Sequence, residues 1–319
     1  MLRHLTRLLA AAALVASTVR AQSADTATHR AGFFHSNGAR LHYLEWLGPG
    51  PTILLLPGYA LTAHVFDDIA PRLAKTHRVI ALTPRGFGES DAPESGAYTI
   101  EALVGDLRAL YDSLHITQAT LVAHSLSGTV AAAFALREPA RVTRLVFLDS
   151  YPYFMEERGD SIASLDPITT PAFTGDTTRE NVARYLARYR FVPWRPALLA
   201  DLRAKPLEPE ASRRRRLTAA YIDDQWRAVP ALQQLRVPSV EFCAIPTVRS
   251  EYPWLTPRTT EYLTADRYVR QSLVPLARRL CARFARTVPR GDTVIVSGSH
   301  YVFFTQPART AARLERVVR

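Results

Sequence analysis

The sequence predicts an α/β fold, with helices covering both faces of a mostly parallel sheet. Short apolar runs end at turn residues: Pro-Gly follows Thr52–Leu56, and Pro-Arg-Gly comes soon after Arg78–Leu82. Helix-like segments alternate with these runs, as in βαβ units. The runs are apolar throughout, which is typical of parallel strands buried on both faces.

The first half of the chain contains most of the predicted strands. Residues 33–46 form two strands joined at Asn37-Gly38, a dipeptide that favours a hairpin turn. The start of the sheet is therefore antiparallel. The remaining elements of this half, in chain order, are a helix at 65–75, a helix at 100–114, a strand at 119–123, a helix at 128–137 and a strand at 145–148.

The second half begins with an interruption of this rhythm. Residues 151–235 contain helix-like segments at 179–189 and 212–226 and no strand pattern. About 85 residues are too many for a loop, so we expect a helical lid, inserted after the sixth strand, over the sheet edge. The sheet then resumes with strands at 239–244 and 293–296 and a helix at 268–284 between them. The predicted organisation is a core formed by residues 22–150 and 236–319, interrupted by the lid at 151–235.

The N-terminus has the pattern of an export signal. Arg3 and Arg7 precede an apolar stretch at 8–19, and small residues lead to Gln22. We expect a signal peptide over residues 1–21 and a periplasmic or secreted protein, the alternative being an N-terminal anchoring helix. The apolar stretch is shorter than the roughly 20 residues that span a bilayer, so stable membrane insertion is not predicted.

Composition excludes several protein classes. With 319 residues, 47% hydrophobic and 22% charged, the chain is neither disordered, collagenous nor a disulfide-dense miniprotein. The net charge of +11 falls to +8 without the three arginines of residues 1–21. The charge is scattered, and the run at 213–216 has no interleaved aromatic residues, so no nucleic-acid partner is predicted.

The sequence contains no motif typical of a metal site, a redox-active cysteine pair or a phosphate-binding loop. Cys243 and Cys281 lie 38 positions apart without a C-x-x-C motif or clustered histidines. They can pair in an oxidising compartment or remain free. No Gly-rich phosphate loop occurs, and we expect neither a cofactor nor a metal.

The chemistry-bearing segment is the turn from the strand at 119–123 to the following helix. Ser125 stands there between Ala123 and Ser127, with Gly128 one place later. A nucleophile elbow exposes its serine on a strained turn and needs small flanking residues. The pattern departs from G-x-S-x-G, because Ala and Ser replace both glycines. Ser125 as a simple helix cap is the alternative.

Together with the turn at Pro57-Gly58-Tyr59, the loop at 85–90 and the late Gly298-Ser299-His300, this segment resembles the α/β-hydrolase family, in its serine esterase and lipase branch. The resemblance implies an eight-stranded sheet and catalytic residues in the order Ser, acid, His. Ser125 then corresponds to the nucleophile and His300 to its base. The backbone N–H groups of Tyr59 and Leu126 correspond to the oxyanion hole. The 85–90 loop is expected to be scaffold.

The triad acid is left open by the sequence, because no carboxylate follows the seventh strand directly. Asp149 ends the sixth strand and resembles the acid of relatives such as some haloalkane dehalogenases. Glu251 and Glu241 are the alternatives. Asp149 can also merely cap the following loop, and a Ser-His dyad is a further possibility.

A serine at the elbow favours acyl transfer to water over dehalogenase or epoxide-hydrolase chemistry, in which the elbow residue is Asp. The leading hypothesis is hydrolysis of a small-molecule carboxylic ester through an acyl-enzyme. Aromatic residues of the lid either line an apolar acyl pocket or pack the lid's own core. Lactonase, amidase, perhydrolase and carbon-carbon hydrolase activities remain open, as does a non-catalytic binding protein on the same scaffold.

Overall fold

The described residues of a computed structural model form one eight-stranded sheet with helices packed against it. The structure describes residues 29–59, 61–93, 98–150, 166–174, five positions within 181–189, and 231–319. The predicted signal peptide lies outside these residues, as does most of the predicted lid at 151–235. Among the described residues, no helix is both long and apolar enough to cross a membrane.

The strand order confirms the predicted mostly parallel sheet. The strands are β1 (Arg30–Ser36), β2 (Ala39–Trp46), β3 (Thr52–Leu56), β4 (Arg78–Leu82), β5 (Ala119–His124), β6 (Val142–Leu148), β7 (Ser239–Ile245) and β8 (Gly291–Ser297). Their order in the sheet is β1-β2-β4-β3-β5-β6-β7-β8. β2 pairs antiparallel with β1 and β4, and all other pairs are parallel. Asn37 and Gly38 both have positive φ, as the predicted hairpin turn requires.

Helices cover both faces of the sheet, as predicted. Among the described residues, the α-helices with defined ends are α1 (Ala70–Leu73), α2 (Ile100–Ser113), α3 (Ser127–Arg137), α4 (Val248–Glu251), α5 (Thr260–Tyr268), α6 (Val274–Thr287), α7 (Val302–Thr305) and α8 (Pro307–Val317). Buried residues of α2, α3 and α6 pack in one core cluster with Leu54 of β3. Those of α1, α7 and α8 pack in a second cluster with Ile53 and Leu55. Alternate residues of β3 thus face opposite cores.

The predicted helix at 65–75 is wrong. The structure has a 3₁₀ turn at Ala63–Phe66 and then the single α-helical turn of α1. Pro71 explains the break, because proline has no N–H to donate and is tolerated only in the first turn of a helix. A helix from 65 would have placed it in the interior.

The predicted helix at 268–284 is longer and less regular than expected. It begins at Thr260 as α5, passes through a π-helical turn at Val269–Leu273 and continues as α6. Pro275 stands in the first turn of α6. The π turn lies just before it, where the proline ring would clash with a regular helix.

Cys243 and Cys281 form a disulfide with a Cα–Cα distance of 5.9 Å. It joins β7 to α6, the helix that packs on one face of β7 and β8. The pairing that the sequence left open is therefore present in the structure.

Candidate active site

The turn between β5 and α3 has the geometry of a strained elbow. Ser125 has φ = +54°, in the left-handed region. Its carbonyl accepts hydrogen bonds from Gly128 N at 3.0 Å and from the Ser150 hydroxyl at 2.5 Å. A Cβ at Gly128 would lie 1.7 Å from Ser150 Oγ, so only glycine, which has no side chain, fits at this position. The second small residue of the elbow is therefore Gly128, one place later than the motif.

His300 lies in the loop after β8, and its ring meets Asp149. The distance from His300 Nδ1 to Asp149 Oδ2 is 2.7 Å. Asp149 follows β6 with φ = +48°. Its second oxygen, Oδ1, accepts from the backbone N–H of Ala244 at 3.0 Å, so the end of β7 holds the carboxylate in place. Among the described residues, Asp149 is the carboxylate hydrogen-bonded to the His300 ring.

The alternative acids occupy different surroundings. Glu241 is fully buried within β7, and its Oε1 accepts from Ser150 N at 3.1 Å. Glu251 ends α4, where the Ser250 hydroxyl donates to its Oε1 at 3.0 Å. Burial raises the pKa of the Glu251 carboxyl to about 7, and the charges of Asp149 and His300 also act on it. Glu251 is thus a neighbour of the pair rather than a member of it.

The turn after β3 lies directly against the elbow. A Cβ at Gly58 would be 2.8 Å from Ser125 Cβ, so the two backbones approach as closely as glycine permits. The Ser127 hydroxyl donates to the Pro57 carbonyl and ties the turn to the start of α3. The predicted oxyanion residues stand next to these contacts in the chain: Tyr59 follows Gly58, and Leu126 lies between Ser125 and Ser127. Their backbone N–H groups remain a prediction.

The loop at 85–90 contributes scaffold, as expected. Arg85 is fully buried and donates from Nε to Asp106 Oδ2 of α2 at 2.7 Å. The Ser90 hydroxyl donates to the Thr83 carbonyl at 2.6 Å. The Ser90 hydroxyl also accepts from His42 N of β2 at 2.9 Å, so these bonds tie the loop after β4 to α2 and β2.

Two side chains beside the candidate site have no role assigned from the sequence. Ser150 donates to the Ser125 carbonyl, and His124 contacts His300 through a bond described below. Their positions directly after Asp149 and directly before Ser125 were the available signal. Within the described part of the chain, no group of three or more His, Cys, Asp or Glu residues is arranged to hold a metal ion.

Comparison with known proteins agrees with this architecture. The α/β-hydrolase fold description matches residues 51–306. A cis-3-alkyl-4-alkyloxetan-2-one decarboxylase of Shewanella oneidensis is 31% identical over 128 residues, covering 39% of this chain and 40% of that protein. A 2-hydroxymuconate semialdehyde hydrolase of Pseudomonas sp. strain CF600 is 36% identical over 116 residues, covering 36% and 38%. The match thus spans about two fifths of the length of these curated relatives.

Solved structures extend the likeness across nearly the whole fold. The crystal structure of a probable hydrolytic enzyme from Pseudomonas aeruginosa PAO1 superposes with a TM-score of 0.65 at 20% identity, covering 92% of this chain and 95% of that one. The family description covers most of the chain and includes the elbow, Asp149 and His300. The chain therefore belongs to the α/β-hydrolase fold family.

Proposed function

We propose that this protein is an exported serine hydrolase that cleaves carboxylic esters through an acyl-enzyme. The observation that carries the proposal is the 2.7 Å contact between His300 Nδ1 and Asp149 Oδ2, at a sheet edge shared with Ser125 on its strained turn. A nucleophile, an orienting acid and a base, in this chain order, are the parts that acyl transfer needs.

The chemistry follows from the tautomer of His300. A carboxylate can only accept, so Nδ1 carries the proton and Nε2 keeps a lone pair to take the Ser125 hydroxyl proton. Ser125 Oγ bonds to the ester carbonyl carbon, and the imidazolium returns the proton to the departing alcohol. Water then attacks the acyl-enzyme by the same route and releases the acid. The N–H groups of Tyr59 and Leu126 are proposed to bind the carbonyl oxygen as it becomes negative.

Export is proposed from two features. Residues 1–21 have the pattern of a cleaved signal. The Cys243–Cys281 disulfide is consistent with an oxidising compartment, where such bonds persist. Sequencing the N-terminus of the protein recovered from the periplasm or medium tests the proposal. We expect it to begin at Gln22, whereas an intact Met1 would contradict cleavage.

The second candidate is another hydrolytic reaction on the same triad. The decarboxylase and the semialdehyde hydrolase named above act on different substrates, and they match 39% and 36% of this chain, respectively. A lactone or a carbon-carbon bond next to a carbonyl presents the same electrophilic carbon to Ser125. The expected lid, which selects among substrates, lies mostly outside the described residues.

The test is turnover of p-nitrophenyl esters from acetate to palmitate by the exported protein and by Ser125→Ala. Ser113→Ala, an exposed serine at the end of α2, is the matched control. We expect turnover by the wild type and the control and loss of at least about 10³-fold in Ser125→Ala. A fluorophosphonate probe should label the wild type and not the variant.

The outcomes separate the candidates. Labelling of Ser125 without turnover of any ester would refute ester hydrolysis and favour the second candidate. Absence of labelling in folded protein would refute an activated serine altogether and leave the binding-protein hypothesis.

A further inference from the structure

His124, the last residue of β5, precedes Ser125 and is buried, with 1% of its surface exposed. The mechanism proposed above does not use it. Its ring nevertheless lies between the three backbone segments on which that mechanism depends: the elbow, the loop that carries His300 and the turn at Gly58.

The first contact is a hydrogen bond to the base loop. His124 Nε2 is 3.1 Å from the backbone carbonyl oxygen of His300. A carbonyl oxygen only accepts, so the proton of the His124 ring resides on Nε2. Burial and the neighbouring His300 lower the pKa of His124 well below its ordinary value, so the ring is neutral at physiological pH.

The second contact is ring packing. The centroid of the His124 ring is 4.5 Å from that of His300 and 4.7 Å from that of Phe303. Tyr301 approaches the same ring at 5.5 Å. The His300 imidazole therefore has His124 beside it, while Asp149 holds its Nδ1.

The third contact is with the turn after β3. A Cβ at Gly58 would lie 2.7 Å from His124 Nδ1. Among the residues that the structure describes, this nitrogen has no hydrogen-bond partner. The His124 ring thus touches the backbone that leads into Tyr59, and glycine there leaves room for it.

We propose that His124 is a positioning residue that sets the distance between Ser125 and His300 through its hydrogen bond to the His300 carbonyl. This inference rests on the proposed serine mechanism. Because His124 is covalently joined to Ser125, one bond from its ring to residue 300 couples the nucleophile directly to the base. Coupling of this kind matters because displacements of about 1 Å in a catalytic site can cost about 10²-fold in rate.

The proposed positioning role also requires that the His124 ring be uncharged. His300 becomes a cation when it takes the Ser125 proton, and a charged His124 ring 4.5 Å away would oppose that step. The neutral ring supplies a donor to the loop without adding a second positive charge.

The experiment compares His124→Phe with His124→Gln in the full exported protein, with active sites counted by fluorophosphonate titration. Phenylalanine keeps a flat ring but has no donor, whereas the glutamine amide N–H can reach the carbonyl. We expect His124→Phe to lower kcat about 10- to 100-fold with KM within about twofold, and His124→Gln to recover most of the loss.

His42→Phe is the matched control, because His42 is also a buried strand histidine, in β2, hydrogen-bonded to Thr83 rather than to the base loop. It should lower stability while leaving kcat per active site unchanged. Wild-type kcat per site in His124→Phe would overturn the proposal. Equal losses in the Phe and Gln variants would overturn the role of the hydrogen bond.

A second readout does not depend on ester turnover. Long-range ¹H–¹⁵N NMR spectra should show His124 as the neutral Nε2–H tautomer from about pH 5 to 9. A protonated ring or the Nδ1–H tautomer would overturn the proposal even if no substrate is found. If the wild type reacts with fluorophosphonate but hydrolyses no ester, the proposed function fails, and the labelling rates of the variants still test the positioning.

Discussion

Ser125 and Asp149 both have positive φ, a conformation that side chains other than glycine adopt at a cost of order 1–3 kcal/mol. Asn37 shares it at the tip of a hairpin, where its short polar side chain tolerates it. Ser125 and Asp149 instead directly follow the adjacent parallel strands β5 and β6, at the sheet edge where the loop with His300 lies. The strained backbone positions at this edge are thus the proposed nucleophile and the proposed acid, the two residues whose side chains are proposed to interact with the His300 ring.

Asp149→Asn tests the proposed acid. The amide can still accept from Ala244 N, but its NH₂ group facing His300 Nδ1 would force the proton to Nε2 and remove the base. We expect kcat to fall about 10³- to 10⁴-fold with little change in the midpoint of thermal unfolding. Asp292→Asn, an exposed β8 residue, is the control. Turnover close to wild type would transfer the role of acid to Glu251 or Glu241.

The raised pKa of the Glu251 carboxyl implies that the stability of the folded protein depends on pH. Its pKa is raised from 4.5 to about 7 in the folded protein, chiefly by burial. The folded state therefore binds the proton more tightly than the unfolded state. The stabilisation is fully present below pH 4.5 and is lost as the pH rises through about 7.

Glu251→Gln mimics the protonated carboxyl at every pH. We expect its thermal midpoint to match the wild type near pH 4.5 and to exceed it by a few degrees at pH 8. Glu261→Gln, exposed at the start of α5, should show no such divergence. A Glu251→Gln protein that is less stable than the wild type at pH 8 would contradict the raised pKa.

At the scale of elements, a buried ion pair joins the loop after β4 to α2. Arg85 and Asp106 are both almost fully buried and share two hydrogen bonds. Asp112 lies on the same helix, but its carboxylate is exposed to solvent and its partner Arg141 is only partly buried. The two pairs therefore allow the contribution of a buried ion pair to stability to be compared with that of a more exposed pair on the same helix.

Asp106→Ala leaves the buried Arg85 guanidinium without its carboxylate. We expect the free energy of unfolding to fall by about 3–5 kcal/mol, against less than about 1 kcal/mol for Asp112→Ala. Urea unfolding monitored by tryptophan fluorescence measures both. Similar losses in the two variants would show that the buried pair is not a special contributor.

At the scale of elements, apolar periodicity alone does not predict where a helix begins or is interrupted. The apolar pattern at 65–75 continues across Pro71, and that at 268–284 continues across Pro275. In both places the backbone breaks or widens just before the proline. The missing N–H of proline outweighs the apolar periodicity of the surrounding residues.

At the scale of the whole molecule, the Cys243–Cys281 disulfide constrains the unfolded chain by closing a loop of 38 positions. We expect the Cys243→Ala/Cys281→Ala double variant to lose about 2–4 kcal/mol of stability. Denaturant unfolding with and without dithiothreitol measures it. The reductant should destabilise the wild type by a similar amount and leave the double variant unchanged. A wild type that is insensitive to reductant after full reduction would contradict the prediction.

Local sequence patterns were sufficient for the strands, the Asn37-Gly38 hairpin and the elbow at Ser125. Each depends on residues within a few positions of one another, where turn chemistry and alternation of apolar residues act directly. The acid could not be chosen in this way. Asp149, Glu241 and Glu251 all precede His300 in the chain, and local patterns contain no information on which carboxylate reaches a ring 49 to 151 positions away.

The side-by-side order of β6, β7 and β8 makes that choice. It brings the end of β6 beside the loop after β8, with Ala244 of β7 holding Asp149 between them. The contact of His124 with His300, the raised pKa of Glu251 and the pairing of the two cysteines have the same origin. All depend on burial and on distances between segments far apart in the chain, and those are set by how the strands assemble rather than by the residues beside them.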